Sequence, residues 1–146
     1  MTAACHYTLV RFMPFVETGE FANVGVVLMS PSARFFGFKL VQDTNVRVTN
    51  FFQRLDGKVF GSVLRLAQEE LRRVEDEFKR MSSNQPPQAF KKESALALWS
   101  ELTKPLATIL RTSEPRLVMA SDPRMKLDEL FALYVERDAI PEPLKV

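Results

Sequence analysis

Three short apolar runs near the N-terminus predict an antiparallel sheet. The first runs from Tyr7 to Pro14, is rich in the β-branched and aromatic residues that favour strands, and stops at a proline. The second runs from Phe21 to Met29 and is apolar at both odd and even positions, so both of its faces should be covered. The third, from Arg34 to Val41, follows a tight proline–serine turn. Together they predict a three-strand meander.

Beyond Asp43 the apolar residues take the spacing of helices. A short helix is expected around Phe51–Leu55, with Gly57 as its left-handed stop. A longer helix follows, whose apolar residues recur in steps of four and three: Phe60, Leu64, Ala67, Leu71, Val74, Phe78 and Met81. This apolar stripe can pack across the sheet of its own chain or form a coiled coil with a second copy of the chain. We expect the first arrangement, because a sheet face needs a cover.

A connector and a further helix come next. The segment Ser82–Gln88 contains two prolines, which bar the continuation of a helix. Apolar residues at helical spacing then predict another amphipathic helix that ends before Pro105: Ala95, Leu98, Trp99 and Leu102. Two short strands are expected after it, over Ala107–Arg111 and Arg116–Ala120.

The last helix has the clearest start in the chain. Asp122 can accept the free amides of the first turn, and Pro123 stands at the first helical position, where its missing N–H costs nothing. One apolar face follows, formed by Leu127, Leu130, Phe131, Tyr134 and Val135. The segment from Ile140 to Val146 is expected to be a frayed tail.

Length and composition fit one folded domain. The chain has 146 residues, of which 46% are hydrophobic, and a chain of this size buries roughly 68% of its unfolded surface. We predict a single α+β domain over residues 1–146, in which a small antiparallel sheet is covered by the long helix and the C-terminal helix. The sheet combines the N-terminal three-strand meander with one or two C-terminal strands. Since no apolar stretch approaches the roughly 20 residues of a spanning helix and no signal sequence is recognisable, we expect a cytoplasmic protein without a membrane partner.

The scarcity of histidine and cysteine excludes several kinds of site. One His and one Cys rule out cysteine–histidine zinc sites. Cys5 and His6 are adjacent and would point to opposite faces of an extended strand, so they should form no nucleophile–base dyad; we expect a terminal pair without a structural role. The five glycines never take the spacing of a phosphate-binding loop. We therefore expect no catalytic residue, no metal and no cofactor.

Polar residues crowd the entry to the second strand. Glu17, Glu20 and Asn23 lie there, and Arg11 lies on the strand expected to pair beside it. Two carboxylates and an amide can bind a hard cation such as magnesium, and the arginine can bind a phosphate. The structural alternative, which we favour, is that Arg11 neutralises Glu20 while Asn23 satisfies strand-end backbone groups. Gly25 in the same strand predicts a bulge or a close approach by a helix side chain.

Basic residues near the start of the last helix form a second candidate. Arg116, Arg124 and Lys126 can bind an anion at the positive end of the helix. Asp122 argues against this site, because a capping carboxylate already occupies those amides. Charges of both signs alternate along the long helix, which is typical of a solvated face, and the formal net charge is only +2. Nucleic-acid binding is therefore not favoured.

Two parts of the chain also carry a recognisable order of residues. The first joins Tyr7–Pro14 to Gly19–Leu28, and the second joins Arg116–Pro123 to Leu127–Phe131. This order resembles the signature of DUF3037, a small bacterial family of unknown function, over most of the chain. The resemblance makes these the positions to watch: Arg11, Glu20, Asn23, Gly25 and Asp122. The resemblance implies no established activity. Members of the family are often encoded beside a protein similar to HipA-type kinases, so the resemblance implies such a kinase as a partner.

Three functions agree with these observations. We favour a non-catalytic protein-interaction module that binds another protein chain, for which the resemblance implies a HipA-like kinase in a toxin–antitoxin-like or regulatory pair. The first alternative is a metal-dependent phosphodiester or nucleotide hydrolase built on Glu17, Glu20 and Asn23, with Arg11 steadying the substrate. The second is a weak nucleic-acid-binding repressor. The expected state is a monomer, or a homodimer formed through the long helix.

Overall fold

Five strands and three helices make up the part of the chain that the computed structural model describes, which is residues 2–15, 17–42, 52, 57–83, 92–102 and 110–136. The helices are α1 (Gly57–Ser83), α2 (Lys92–Leu102) and α3 (Pro123–Phe131), which continues as a π-helical turn over Ala132–Glu136. The strands are β1 (Ala3–Phe12), β2 (Ala22–Ser30), β3 (Phe35–Leu40), β4 (Leu110–Thr112) and β5 (Arg116–Ala120). The predicted α+β class is confirmed.

β1 is the central strand of an antiparallel sheet with the order β3-β2-β1-β4. β4 and β5 pair with the same edge of β1, β4 at its C-terminal end and β5 at its N-terminal end. Buried Ser113 bridges the gap between them: its amide donates to the Leu9 carbonyl at 2.9 Å, and its Oγ accepts from the Leu9 amide at 2.9 Å. Thr8 Oγ1 donates to the Ser113 carbonyl at 2.7 Å. The Ser113 side chain thus continues the ladder where backbone pairing is interrupted.

α1 covers one face of the sheet with the predicted apolar stripe, so the expected intramolecular arrangement is confirmed. The ring centroids of Phe60 and Phe12 are 4.9 Å apart, and those of Phe78 and Phe36 are 5.8 Å apart. Each such ring contributes roughly 1.5–3 kcal/mol when fully buried. The buried members of the stripe are Phe60, Leu64, Ala67, Leu71, Val74 and Phe78.

α3 covers the opposite face, so the prediction that both faces are covered is also confirmed. Gly37 lets the helix come close, because a Cβ there would lie 3.1 Å from Leu127 Cδ2. The helix starts as predicted: Asp122 Oδ1 accepts from the Met125 amide at 3.2 Å, and a proline occupies the first turn. Its buried side chains are Leu127, Leu130 and Phe131, followed by Val135 in the π-helical turn.

Several predicted boundaries were wrong. β1 begins at Ala3, so Cys5 and His6 lie within the strand, where buried Cys5 belongs to the core; only their predicted opposite orientation holds. Gly57 is the first residue of α1 instead of a helix stop, a position near the N-cap that tolerates glycine. α1 also extends through Ser83, into the predicted connector.

Other expectations lie outside the described residues: the short helix around Phe51–Leu55, the remainder of the connector, the first part of the strand over Ala107–Arg111, and the tail from Ile140 to Val146. Within the described ranges, no helix is both long enough and apolar enough to cross a bilayer.

Candidate functional site

The first predicted cluster is only partly assembled. Arg11 and Asn23 are direct partners across β1 and β2, whereas Glu17 and Glu20 lie exposed around the turn that precedes β2. That turn is made at Gly19, whose φ of +72° suits glycine. Among the described residues, Arg11 forms no ion pair with Glu20, and no group of three or more His, Cys, Asp or Glu side chains is placed to hold a metal ion.

A β-bulge positions Arg11 and Asn23. The register between β1 and β2 shifts between Val10 and Arg11, so that Arg11 faces Asn23 instead of Val24. A Cβ on Gly25 would lie 2.4 Å from Leu40 Cδ2 and 2.8 Å from the Lys39 carbonyl oxygen. The predicted bulge is therefore confirmed beside Gly25. The alternative, a close approach by a helix side chain, is wrong, because the atoms that crowd this glycine belong to β3.

Asn23 connects the sheet to the end of the last helix. Its Nδ2 donates to the Tyr134 carbonyl at 3.3 Å. A helix end leaves its last carbonyls without intrahelical donors, so this bond satisfies one of them. The Asn23 side chain was expected to bond to backbone groups at the end of its strand. It bonds to the C-terminal turn of the helix, because α3 crosses β2 at this point.

Arg11 lies against an aromatic ring with its guanidinium partly desolvated. Its Cζ is 4.4 Å from the centroid of the Phe21 ring. Its Nε is buried, and the described part of the chain offers that atom no hydrogen-bond acceptor. Burial lowers the pKa of Arg11, and the positive charge of Arg116 lowers it further. Arg111 on β4 is the direct partner of Arg11 across the strands, so their side chains share one face.

Two tyrosines contact Arg116 on the face of the sheet that carries Arg11. Tyr7 is the cross-strand partner of Arg116, and Arg116 Nη1 donates to Tyr134 Oη at 3.3 Å. The two phenol oxygens lie 3.5 Å apart. Burial raises the pKa of the Tyr7 phenol, and its hydrogen bond with Tyr134 raises it further. Tyr7 is therefore uncharged at neutral pH. We call Arg11, Arg111, Arg116, Tyr7 and Tyr134 the arginine cluster.

The second predicted site is not assembled. Arg116 belongs to the arginine cluster, whereas the guanidinium of Arg124 lies 5.0 Å from the Phe35 ring centroid. Lys126 Nζ pairs with Glu129 at 2.9 Å. The side chain of Asp122 caps the first turn of α3. This cap agrees with the argument from the sequence against anion binding at these amides.

The outer edge of β5 carries exposed apolar side chains. Leu117 is 61% exposed and Met119 is 55% exposed, and both lie on the face opposite the arginine cluster. In the described ranges no strand pairs with this edge. Met119 and exposed Met125 also line an open cleft at the end of the strand. We call Leu117, Met119 and the backbone of β5 the β5 edge.

The arginine cluster and the β5 edge were only partly predictable from the sequence. Reasoning from the sequence singled out Arg11, Asn23 and Arg116, but not the two tyrosines, because Tyr7 and Tyr134 are 127 positions apart and no local pattern connects them. Arg111 was detectable only once its register opposite Arg11 was known. The exposure of Leu117 and Met119 depends on which helix covers the end of the sheet, and the alternation within a five-residue strand does not reveal that.

Comparison with known proteins places the chain in a family. No curated protein and no solved structure matches it. A family model described as "Protein of unknown function (DUF3037)" matches residues 7–135. This span starts within β1, ends in the π-helical turn, and includes every residue of the arginine cluster and the β5 edge. The chain therefore belongs to the DUF3037 family.

Proposed function

We propose that the protein is a non-catalytic interaction module that binds another protein chain along the β5 edge. One observation carries this proposal: in the part of the chain that the structure describes, β5 has an unpaired strand edge and two large exposed apolar side chains, Leu117 and Met119. The backbone N–H and C=O groups of an edge strand can pair with an added strand. In such pairing the backbone supplies affinity, and alternate side chains supply specificity.

The other edge of the sheet supports this choice by contrast. β3 carries the charged Lys39, whose Nζ lies 3.5 Å from Asp128 Oδ1. A charge within an edge strand is a common device against strand addition. β5 also contains one charged residue, but this residue, Arg116, is its first, and the last four positions are apolar. Of the two edges, β5 is the one suited to receive a partner.

The partner that we propose is the HipA-like kinase implied by the family resemblance, in a toxin–antitoxin-like or regulatory pair in the bacterial cytoplasm. Its chemistry follows from the edge: an extended segment with apolar residues at alternate positions, which would pack beside Leu117 and Met119. Such a segment buries apolar area on one face and completes the backbone hydrogen bonds of β5.

Co-expression with the kinase-like neighbour tests the proposal. We expect a one-to-one complex in size-exclusion chromatography with light scattering. Replacing both Leu117→Lys and Met119→Lys should weaken binding at least about tenfold in calorimetry, which corresponds to about 1.4 kcal/mol. The matched control is Leu66→Lys, because Leu66 is a similarly exposed apolar residue (65%) that belongs to α1 instead of β5. Two separate species for the wild type, or equal binding by the double variant, would contradict the proposal.

A further inference from the structure

The arginine cluster contains like charges that the described structure leaves without a counter-ion. Arg11 and Arg111 are direct cross-strand partners, a position in which like charges destabilise a sheet. The positive charge of Arg116 also acts on Arg11. Over the described residues, the ion pairs of the protein involve other side chains, and none includes these three arginines. Local violations of this kind are expected where a protein binds something.

From this geometry we propose that the arginine cluster is a binding site for the dianionic group of a phosphate monoester. Guanidinium groups present planar pairs of N–H donors that match the oxygens of a phosphate, and clusters of arginines are a recurrent means of recognising it. A dianion would offset the repulsion between Arg11 and Arg116, and Arg111 lies beside them as the cross-strand partner of Arg11.

Neighbouring groups add hydrogen bonding and rigidity. Tyr7 keeps its phenol proton at neutral pH and shares a contact with Tyr134, whose oxygen already accepts from Arg116. Stacking on Phe21 limits the orientations of the Arg11 guanidinium, so less freedom is lost when it binds. Because Phe21 is 40% exposed, it provides an apolar surface beside the cluster for the organic part of the ester.

This inference does not depend on the proposed protein interaction. Arg116 and Leu117 are consecutive residues of β5, so their side chains point to opposite faces of the sheet. A partner strand can bind the β5 edge whether or not the arginine cluster is occupied. Either proposal can therefore fail without the other.

Calorimetric titration with phenyl phosphate at constant ionic strength tests the site. We expect saturable binding at one site, weakened at least about tenfold in the double variant Arg11→Gln/Arg116→Gln. The matched control is Arg124→Gln, since Arg124 also stacks on a phenylalanine but lies outside the cluster; it should bind within about twofold of the wild type. No saturable binding up to about 10 mM, or equal weakening by the control, would overturn the proposal.

A second variant guards against misfolding of the first. Arg111→Gln changes an exposed side chain and should weaken phenyl phosphate binding about threefold while the circular dichroism spectrum stays unchanged. Wild-type affinity in this variant would contradict a role for Arg111 and overturn the three-arginine site. A phosphoserine peptide and its unphosphorylated form then distinguish the source of the group. Tighter binding of the phosphopeptide than of phenyl phosphate indicates a modified protein, and the reverse order indicates a small phosphate ester; both orders support the site.

Discussion

Replacing Ser113 with alanine tests how the two halves of the arginine cluster are held together. Ser113 lies between β4, which carries Arg111, and β5, which carries Arg116. Its Oγ accepts from the Leu9 amide at 2.9 Å and lies 3.2 Å from Thr8 Oγ1. The side chain is 5% exposed, so water cannot easily replace these bonds. In the alanine variant the Leu9 amide loses this acceptor inside the sheet.

The expected cost follows from two terms. A hydrogen bond contributes about 1 kcal/mol net, and a buried donor left without its partner costs roughly 1–3 kcal/mol. Thr8 keeps its bond to the Ser113 carbonyl, so its hydroxyl adds no second unsatisfied group. We therefore expect Ser113→Ala to lower the free energy of unfolding by about 2 kcal/mol. In a domain of this size that corresponds to a fall in Tm of roughly 6 °C.

Urea denaturation measures this difference directly. The midpoint should fall while the m-value stays constant, because the surface exposed on unfolding hardly changes. The control is Ser121→Ala, an exposed serine, which should change stability by less than about 0.5 kcal/mol. A double-mutant cycle with Thr8→Val should give a coupling of at least about 0.5 kcal/mol. A cost for Ser113→Ala no larger than that of Ser121→Ala would refute the reasoning.

Three further predictions concern the core, the thiol and the surface of α1. Gly25→Ala should destabilise the protein by about 1–3 kcal/mol in urea denaturation, because the new Cβ meets Leu40 and the β3 backbone; a neutral effect would contradict the close approach. Cys5 should react slowly with a disulfide reagent in the folded protein and quickly in urea, because burial raises the pKa of its thiol; a fast native reaction would contradict this. The hydrogen bond from Arg73 lowers the pKa of Glu70, so its stabilisation is full above the ordinary carboxyl pKa and is lost as the pH falls through the lowered value. Glu70→Gln should therefore lower the free energy of unfolding, measured by urea denaturation, by at most about 0.5 kcal/mol at neutral pH and leave it unchanged in acid; equal effects at both pH values would contradict the pairing.

The elements with strong periodic patterns were predictable from the sequence. The steps of four and three from Phe60 to Phe78 identified the buried face of α1, and Asp122 with Pro123 identified the start of α3. Each signal is local: a helix face follows from spacing, and a cap follows from one side chain and the amides beside it. Gly57 was misread because a glycine fits both the end of one helix and the beginning of the next.

The candidate site was harder to predict, because it depends on register and on which face a helix covers. Arg11 and Asn23 were correctly placed on neighbouring strands, but Glu20 lies outside the sheet and does not follow them. Tyr134 reaches Tyr7 only because α3 continues by a π-helical turn across β2. A single sequence contains no pattern that fixes such long-range neighbours.

Hydrogen exchange tests most directly the central claim that β5 is the edge at which a partner binds. The measurement compares amide exchange in the free protein and in its complex with the proposed partner, a HipA-like kinase. We expect the amides of Arg116–Ala120 that point away from β1 to exchange at least about tenfold more slowly in the complex, while exchange on the outer face of α1 is unchanged. A complex that forms without added protection of β5 would contradict the claim.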